Sequence, residues 1–245
     1  MILLVDLGNS RLKWAQSDEG WWLAGGCALV EDFGYLLDTH WGEMDEPEQV
    51  VVASVSTTDK LETLRHWIVE HWGLAPRIVA AKEEELGVCN AYAEPETLGS
   101  DRWAALIEAH HLYKEPLCVV DCGTAVTVDA MDARGKVVGG VILPGLSLMR
   151  ASLSSGTAGI PGEAAEAEGV LARSTAEGVA GGTYVGWLGA IERIVGEYRA
   201  VLGDSMKLLG TGGDLPRLMA ATGEDMIPLP DLVLKGLLRI AQGRP

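Results

Sequence analysis

Basic residues are scarce in this chain, which has 19 Lys and Arg against 35 Asp and Glu and a formal net charge of −16 at pH 7. Such an acidic surface repels the phosphates of nucleic acids and anionic lipid headgroups. We therefore expect no nucleic-acid binding and no attachment to a membrane surface. An anionic ligand must be held by local positive features instead, such as backbone N–H groups, a metal ion and a few basic side chains.

Long apolar runs and paired cysteines are also missing. No stretch approaches the roughly 20 apolar residues that cross a bilayer, and no basic segment of a signal peptide precedes the first predicted strand. The four cysteines, Cys27, Cys89, Cys118 and Cys122, show no C-x-x-C spacing. The last two lie in and just after an apolar strand, which is typical of small buried side chains rather than metal ligands. These absences predict a cytoplasmic location with reduced thiols.

What the chain does contain is a repeated pattern. Its 245 residues, 48 % of them hydrophobic, suffice for one large domain or two small ones. The apolar run 2–5 ends in Asp6-Leu7-Gly8-Asn9-Ser10, and the apolar run 117–120 ends in Asp121-Cys122-Gly123-Thr124. An alternating segment typical of a strand follows each copy. Because the copies lie nearly half the chain apart, they indicate an internal duplication.

The other segments alternate between strand and helix patterns. Predicted strands cover residues 49–55, 77–81 and 136–143, and predicted helices cover residues 59–72, 100–113, 174–202 and 233–241. Hairpins followed by such units are typical of a mixed α/β fold in which helices cover the sheets. A linker at Lys114-Glu115-Pro116 predicts an N-terminal domain over residues 1–115 and a C-terminal domain over residues 116–245.

Residues 154–172 follow no clear period. They are rich in Gly, Ala and Glu and carry no positive charge before Arg173. This composition fits either a mobile surface loop or a weak acidic helix, and we favour the loop.

The two hairpins carry the residues of a phosphate site. A Gly shortly after a strand-ending Asp lets backbone N–H groups approach an anion. Asp6 and Asp121 would repel phosphate without a cation between them, so the pair implies a metal-bridged phosphate site. Ser10 and Thr124 add hydroxyl groups, and Lys13 adds a point charge. The alternative is that each Asp-x-Gly is ordinary turn chemistry.

Two further segments have both a functional and a structural interpretation. The cluster Gly210-Thr211-Gly212-Gly213 follows a strand and opens a helix, where it either admits a phosphate or simply forms a flexible turn. Asp101 and Arg102 lie at a predicted helix start after Gly99. Asp101 is either a helix-capping residue or a base for a hydroxyl proton, and Arg102 offers a clamp for a carboxylate.

Taken together, these segments resemble the type III pantothenate kinases, within the superfamily of sugar kinases, acetate kinase, actin and heat-shock ATPases. The matching segments, in chain order, are residues 6–13, Tyr92 with 98–102, 121–129, 139–145, 174–176 and 209–214. Ser10 stands where the family often has Thr, which keeps the hydroxyl, and Cys122 stands where another side chain is more usual.

The resemblance implies a fold and an activity. The fold is two ribonuclease-H-like domains of duplicated topology, with the active site in the cleft between them. The activity is ATP-dependent phosphorylation of pantothenate to 4′-phosphopantothenate, the first step of coenzyme A biosynthesis. It also implies Mg²⁺, a monovalent cation (K⁺ or NH₄⁺) and a homodimer. Two alternatives stay open: another enzyme of the superfamily, such as a different hydroxyl kinase or a phosphatase acting on nucleotides, and a non-catalytic accessory regulator.

The resemblance also implies roles for individual residues. Asp101 is the general base. The ATP-binding residues are Asp6, Gly8, Asn9, Ser10, Lys13, Gly123, Thr124, Gly212 and Gly213. The pantothenate-binding residues are Tyr92, Gly99, Ser100, Asp101 and Arg102, with Thr175 contacting the pantothenate of the neighbouring subunit. Asp6 is the metal residue for Mg²⁺ and Asp121 the one for the monovalent cation.

Overall fold

The computed structural model describes residues 1–18, 20–160 and 169–243. The strands are β1 (Ile2–Leu7), β2 (Arg11–Asp18), β3 (Trp21–Leu29), β4 (Gln49–Ser54), β5 (Arg77–Ile78), β6 (Glu84–Glu85), β7 (Val88–Cys89), β8 (Leu117–Cys122), β9 (Ala125–Met131), β10 (Val137–Pro144), β11 (Lys207–Thr211) and β12 (Met226–Pro228). The α-helices are α1 (Phe33–Leu36), α2 (Thr58–Trp72), α3 (Ser100–Leu112), α4 (Leu146–Gly156), α5 (Thr175–Leu202), α6 (Leu215–Ala221) and α7 (Leu232–Gln242). A π-helical turn spans Leu37–Trp41 and a 3₁₀ turn spans Pro95–Thr97.

These elements form two compact units. The first comprises Met1–Lys114, Arg134–Val137 and Asp231–Pro245, and the second comprises Glu115–Ala133 and Val138–Pro230. Each unit contains a five-stranded sheet. None of the helices that the structure describes is both long and apolar enough to cross a membrane.

The sheet of the first unit has the strand order β3-β2-β1-β4-β5. β1 pairs antiparallel with β2 and parallel with β4, and β4 pairs parallel with β5. The apolar runs of β1 and β4 are buried, as expected for strands covered on both faces. Leu64, Ile68 and Trp72 recur along α2 at helical spacing and pack into the same core.

The sheet of the second unit has the order β10-β9-β8-β11-β12. β8 pairs antiparallel with β9 and parallel with β11, and β11 pairs parallel with β12. This arrangement repeats that of the first unit, with β8 in the place of β1 and β11 in the place of β4. The predicted mixed α/β fold with two ribonuclease-H-like domains of duplicated topology is therefore confirmed.

The C-terminal helix packs within the first unit. A Cβ at Gly236 of α7 would lie 1.9 Å from the Ala104 carbonyl oxygen of α3, so the two helices touch backbone to backbone. Arg239 Nε donates to Glu108 Oε2 at 2.7 Å beside this contact. The domain boundary predicted from the sequence assigns this helix to residues 116–245. Its amphipathic pattern indicates that it packs against a core, but the pattern does not indicate which of the two cores.

Other segments also differ from the sequence interpretation. β3 and α4 were not predicted. The stretch 154–172 was interpreted as a loop, but α4 continues to Gly156. Residues 157–160 and 169–172 form no helix or strand, and residues 161–168 lie outside the described part of the chain.

Candidate active site

The first hairpin presents an acidic and a basic side chain together. Asp6 of β1 lies directly opposite Lys13 of β2 in the antiparallel ladder, so both side chains leave the sheet on the same face. The turn is closed by Gly8, whose N–H donates to the Arg11 carbonyl at 3.0 Å. Asn9 and Ser10 are exposed at the tip. This turn offers backbone N–H groups, a carboxylate and an ammonium group within a short length of chain.

The second hairpin repeats the turn with different neighbours. Gly123 N–H donates to the Ala125 carbonyl at 3.2 Å, which closes the turn. Gly145 N–H donates to the Thr124 carbonyl at 2.9 Å. A Cβ at Gly145 would lie 2.4 Å from the Gly123 carbonyl oxygen, so only glycine allows this close approach.

The glycine cluster after β11 packs directly against this hairpin. Because β8 and β11 run parallel, their carboxyl ends lie at one edge of the sheet. Gly212 has a φ of +94°, and a Cβ there would lie 2.5 Å from Asp121 Oδ1. Asp214 N–H donates to the Cys122 carbonyl at 3.0 Å and ties the turn to the hairpin. The structure thus brings Asp121, Gly123, Thr124, Gly212 and Gly213 to one edge of the second sheet.

Cys122 takes no direct chemical part at this edge. Its thiol is buried, and burial together with the nearby carboxylates of Asp121 and Asp214 raises its pKa to about 12. The thiol is therefore protonated at neutral pH and is a poor nucleophile. The backbone carbonyl of Cys122 accepts the hydrogen bond from the Asp214 N–H, a contact that does not involve the side chain.

The start of α3 lies at the carboxyl ends of β1 and β4. Ser54, the last residue of β4, pairs with Leu7 of β1. Ser54 N–H donates to Ser100 Oγ at 2.9 Å, and the Ser100 hydroxyl donates back to the Ser54 carbonyl at 3.2 Å. This reciprocal pair fixes α3 beside the Asp6–Ser10 turn. Residues 99–102, which are among those predicted to bind pantothenate, therefore lie at the same sheet edge as the Asp6–Ser10 turn.

Asp101 has an environment suited to a base. Its Oδ1 accepts a hydrogen bond from the Arg102 N–H at 2.7 Å, and the side chain is half-buried. Burial raises the pKa of this carboxyl, partly offset by the Arg102 N–H and the Arg102 charge. Gly99 leaves room for it, since a Cβ there would lie 2.6 Å from Asp101 Oδ1. A carboxylate with a raised pKa accepts a hydroxyl proton more readily than an ordinary one.

Asp101 does not occupy the N-cap position of α3, which is taken by Gly99. The Asp101 Oδ1 nevertheless accepts from the first-turn N–H of Arg102, so the side chain also helps to satisfy the helix start. Asp101 lies within the first turn instead, where its charge interacts favourably with the helix dipole.

Arg102 is held in a fixed orientation by Tyr92. Its side chain is only 7 % exposed, Nη1 donates to the Tyr92 hydroxyl at 3.1 Å, and Cζ lies 5.8 Å from the centroid of the Tyr92 ring. A guanidinium held in this way is well suited to pair with a carboxylate through two hydrogen bonds.

Asn90 was missed by the sequence reasoning. Its side chain accepts a hydrogen bond from the Tyr92 N–H at 3.0 Å and donates one to the Pro95 carbonyl at 3.0 Å. The available signal was an Asn two residues before the Tyr, a spacing typical of a side-chain-closed turn.

Thr175 begins α5, where the Ser174 hydroxyl accepts a hydrogen bond from the Glu177 N–H at 3.2 Å. Its side chain is exposed. The predicted contact with a pantothenate of another subunit stays a prediction.

Both hairpins have donor sets that fit hard cations beside phosphates. Within residues 1–18, 20–160 and 169–243, no group of three or more His, Cys, Asp or Glu side chains could enclose a metal ion. Mg²⁺ in phosphate sites needs no such group, because one or two carboxylates combine with substrate phosphates and water. Asp6 supplies one carboxylate beside its turn, and Asp121 supplies another beside Thr124. Oxygen donors of this kind fit Mg²⁺ and a monovalent cation rather than a zinc-type metal.

Comparison with known proteins identifies the family of this chain. The family model for type III pantothenate kinase matches residues 2–197. A type III pantothenate kinase of Nitrosococcus oceani is 39 % identical over 251 residues, covering 99 % of this chain and 94 % of that protein.

Two solved structures share the fold. A Campylobacter jejuni protein assigned to the Baf family of transcriptional activators has a TM-score of 0.60 at 19 % identity and covers 98 % of this chain and 97 % of its own. The activator of 2-hydroxyisocaproyl-CoA dehydratase from Clostridium difficile, solved with bound ADPNP, has a TM-score of 0.53 at 12 % identity. The match covers 99 % of this chain and 95 % of that protein. Identities this low support the fold alone.

Proposed function

The chain belongs to the type III pantothenate kinase family, and we propose that it transfers the γ-phosphoryl group of ATP to pantothenate. The products are 4′-phosphopantothenate and ADP, and the reaction is the first step of coenzyme A biosynthesis. The observation that carries the proposal is the arrangement at the start of α3: a half-buried Asp101 beside a buried Arg102, next to the Asp6–Ser10 turn. It provides a base and an anion clamp beside a phosphate turn.

Arg102 binds the substrate carboxylate. Pantothenate carries one carboxylate, and the Arg102 guanidinium is kept in place by the Tyr92 hydroxyl at 3.1 Å. Little side-chain entropy is lost on binding, because the guanidinium is already oriented. Gly99 and Ser100 complete this face through their backbone at the helix start.

Asp101 accepts the proton of the reacting hydroxyl. As the hydroxyl oxygen forms its bond to the γ-phosphorus, its proton passes to a carboxylate oxygen of Asp101, and the bond from the γ-phosphorus to the ADP oxygen breaks. Phosphoryl transfer depends mainly on positioning and charge neutralisation. The base contributes about 10²- to 10⁴-fold of the rate.

The proposed ATP-binding residues lie in the glycine turns of the first unit and of the second unit. In the first unit, Gly8, Asn9, Ser10 and Lys13 contact phosphate oxygens. In the second unit, Gly123, Thr124, Gly212 and Gly213 do so. Asp6 would hold Mg²⁺ and Asp121 would hold a monovalent cation (K⁺ or NH₄⁺), and these cations would supply positive charge that neutralises the phosphates. The nucleotide analogue bound to the Clostridium difficile protein of similar fold supports this use of the fold.

The proposal includes an assembly and a location. We propose that the protein forms a homodimer in which Thr175 reaches the pantothenate of the neighbouring subunit. We also propose that the enzyme is cytoplasmic. The exposed position of Thr175 at the start of α5 supports the first, and the buried free thiols Cys118 and Cys122 support a reducing compartment. Size-exclusion chromatography with light scattering tests the dimer.

ADP release measured by a coupled assay, with and without pantothenate, tests the proposal. We expect release that depends on pantothenate and on Mg²⁺. A panel of other hydroxyl compounds serves as the control for a different kinase of the same superfamily. Release with another compound but not with pantothenate would contradict the substrate, and ATP binding without any release would favour a non-catalytic regulator.

A further inference from the structure

One side chain closes the loop that carries Tyr92. Asn90 directly follows β7, and its own N–H donates to the Glu83 carbonyl at 2.9 Å, which anchors it to the preceding chain. Its Oδ1 accepts from the Tyr92 N–H, and its Nδ2 donates to the Pro95 carbonyl, both at 3.0 Å. The N–H partner and the carbonyl partner fix which end of the amide is which. The half-buried side chain therefore has one defined orientation.

These two hydrogen bonds connect the parts of the proposed pantothenate site. Tyr92 lies at one end of the closed loop, where its hydroxyl accepts from Arg102 Nη1 at 3.1 Å. Pro95 lies at the other end and begins the 3₁₀ turn that leads to Gly99. Without the Asn90 amide group, the backbone between residues 90 and 95 loses both of these hydrogen bonds. The Tyr92 ring is then no longer held against the Arg102 guanidinium.

We propose that Asn90 is a positioning residue for pantothenate binding, which acts by fixing Tyr92 against Arg102. It touches neither the substrate nor the reacting atoms, so it governs the affinity for pantothenate rather than the chemical step. The inference rests on the proposed function, since it concerns the affinity of that site for its substrate.

Steady-state kinetics of Asn90→Ala give the first test. The loss of two hydrogen bonds predicts a KM for pantothenate about tenfold higher, with kcat and the KM for ATP within about twofold of wild type. Asn90→Ser gives partial rescue, because a hydroxyl can accept from the Tyr92 N–H but is too short to hold Pro95 as well. An intermediate KM is therefore expected for Asn90→Ser. The Asn90→Ser variant also serves as the test if Asn90→Ala does not fold.

Thr97→Val is the matched control. The Thr97 hydroxyl donates to the Glu94 carbonyl at 2.7 Å in the same loop, and within the described residues it forms no hydrogen bond with Tyr92 or Arg102. Its removal should leave the KM for pantothenate unchanged. An equal rise in both variants would show general loosening of the loop and overturn the role of Asn90.

Combining Asn90→Ala with Tyr92→Phe tests the route of action. If Asn90 acts through the Tyr92 hydroxyl, the double variant raises KM by less than the product of the single effects. A fully multiplicative result, or a wild-type KM in Asn90→Ala, refutes the inference. Failure of the wild-type protein to use pantothenate would refute the proposed function instead, so the two failures are distinguishable.

Discussion

Replacing Asp101 by Asn removes the proposed base while keeping its shape. The Asn carbonyl oxygen can still accept the hydrogen bond from the Arg102 N–H, which measures 2.7 Å in the structure. The start of α3 is also held by an independent hydrogen bond, from the Ser54 N–H to Ser100 Oγ. The variant should therefore fold and retain its substrate-binding surface, so that any change in rate reports on proton transfer.

The expected loss in kcat is about 10²- to 10⁴-fold, or about 2.7 to 5.4 kcal/mol of the barrier. The affinity for ATP should not change, because the proposed nucleotide contacts involve other residues. Single-turnover measurement of 4′-phosphopantothenate, with calorimetric titration of ATP as the control, separates the two. Turnover within tenfold of wild type would refute the assignment of Asp101 as the base.

Stability and pH dependence give an independent check on the same carboxyl. Burial raises the pKa of Asp101, so this group binds a proton more readily in the folded state. Its contribution to the free energy of unfolding therefore falls as the pH rises through the folded pKa. At pH 7 the neutral Asn should melt at a temperature equal to or above wild type. In the wild-type enzyme, kcat should fall as the pH drops through a pKa above the roughly 3.9 of an ordinary aspartate.

Three further changes test other parts of the site. Arg102→Ala should raise the KM for pantothenate by at least tenfold with little change for ATP; an unchanged KM in the ADP-release assay would exclude the carboxylate clamp. Gly212→Ala places a Cβ 2.5 Å from Asp121 Oδ1 at a φ of +94°, which should cost about 1–3 kcal/mol in chemical denaturation and weaken ATP binding. Gly223→Ala, with open space around its Cβ position, is the control and should match wild type. Asp121→Ala should abolish the response to KCl at constant ionic strength, and a preserved response would rule out Asp121 as the monovalent-cation residue.

The sequence predicted the elements that have strong local signals. The apolar runs before Asp6 and Asp121, each ending at a glycine turn, predicted the two hairpins and the duplication. Gly99 and the apolar spacing after it predicted α3, and Trp103 within that helix is fully buried. In these segments local pattern and tertiary environment agree.

The missing elements lack such signals. β3 is an exposed edge strand with two glycines in its middle, Gly25 and Gly26, so it shows neither alternation nor a continuous apolar run. α4 is rich in serine, which favours turns as readily as helix. The backbone contact of Gly236 with Ala104 depends on long-range packing, and no local pattern reveals which unit α7 joins.

The site was predictable in part. Residues 99–102 could be singled out because a Gly, an acid and an Arg at a helix start are chemically distinctive. The fixed geometry of these residues could not be predicted from the sequence. It depends on Ser54, which is distant from α3 in the sequence, and on Asn90, which is unremarkable there. The raised pKa of Asp101 likewise arises from burial in the folded chain.

Phosphoryl transfer to the pantothenate hydroxyl can be followed directly by ³¹P nuclear magnetic resonance of the reaction mixture. With the enzyme, ATP, Mg²⁺, K⁺ and pantothenate, we predict a new phosphomonoester resonance that grows in step with ADP and coincides with added 4′-phosphopantothenate. The same resonance should be absent over the same time with the Asp101→Asn variant. Growth of the inorganic phosphate resonance alone, or the absence of any new resonance, would contradict phosphoryl transfer to pantothenate.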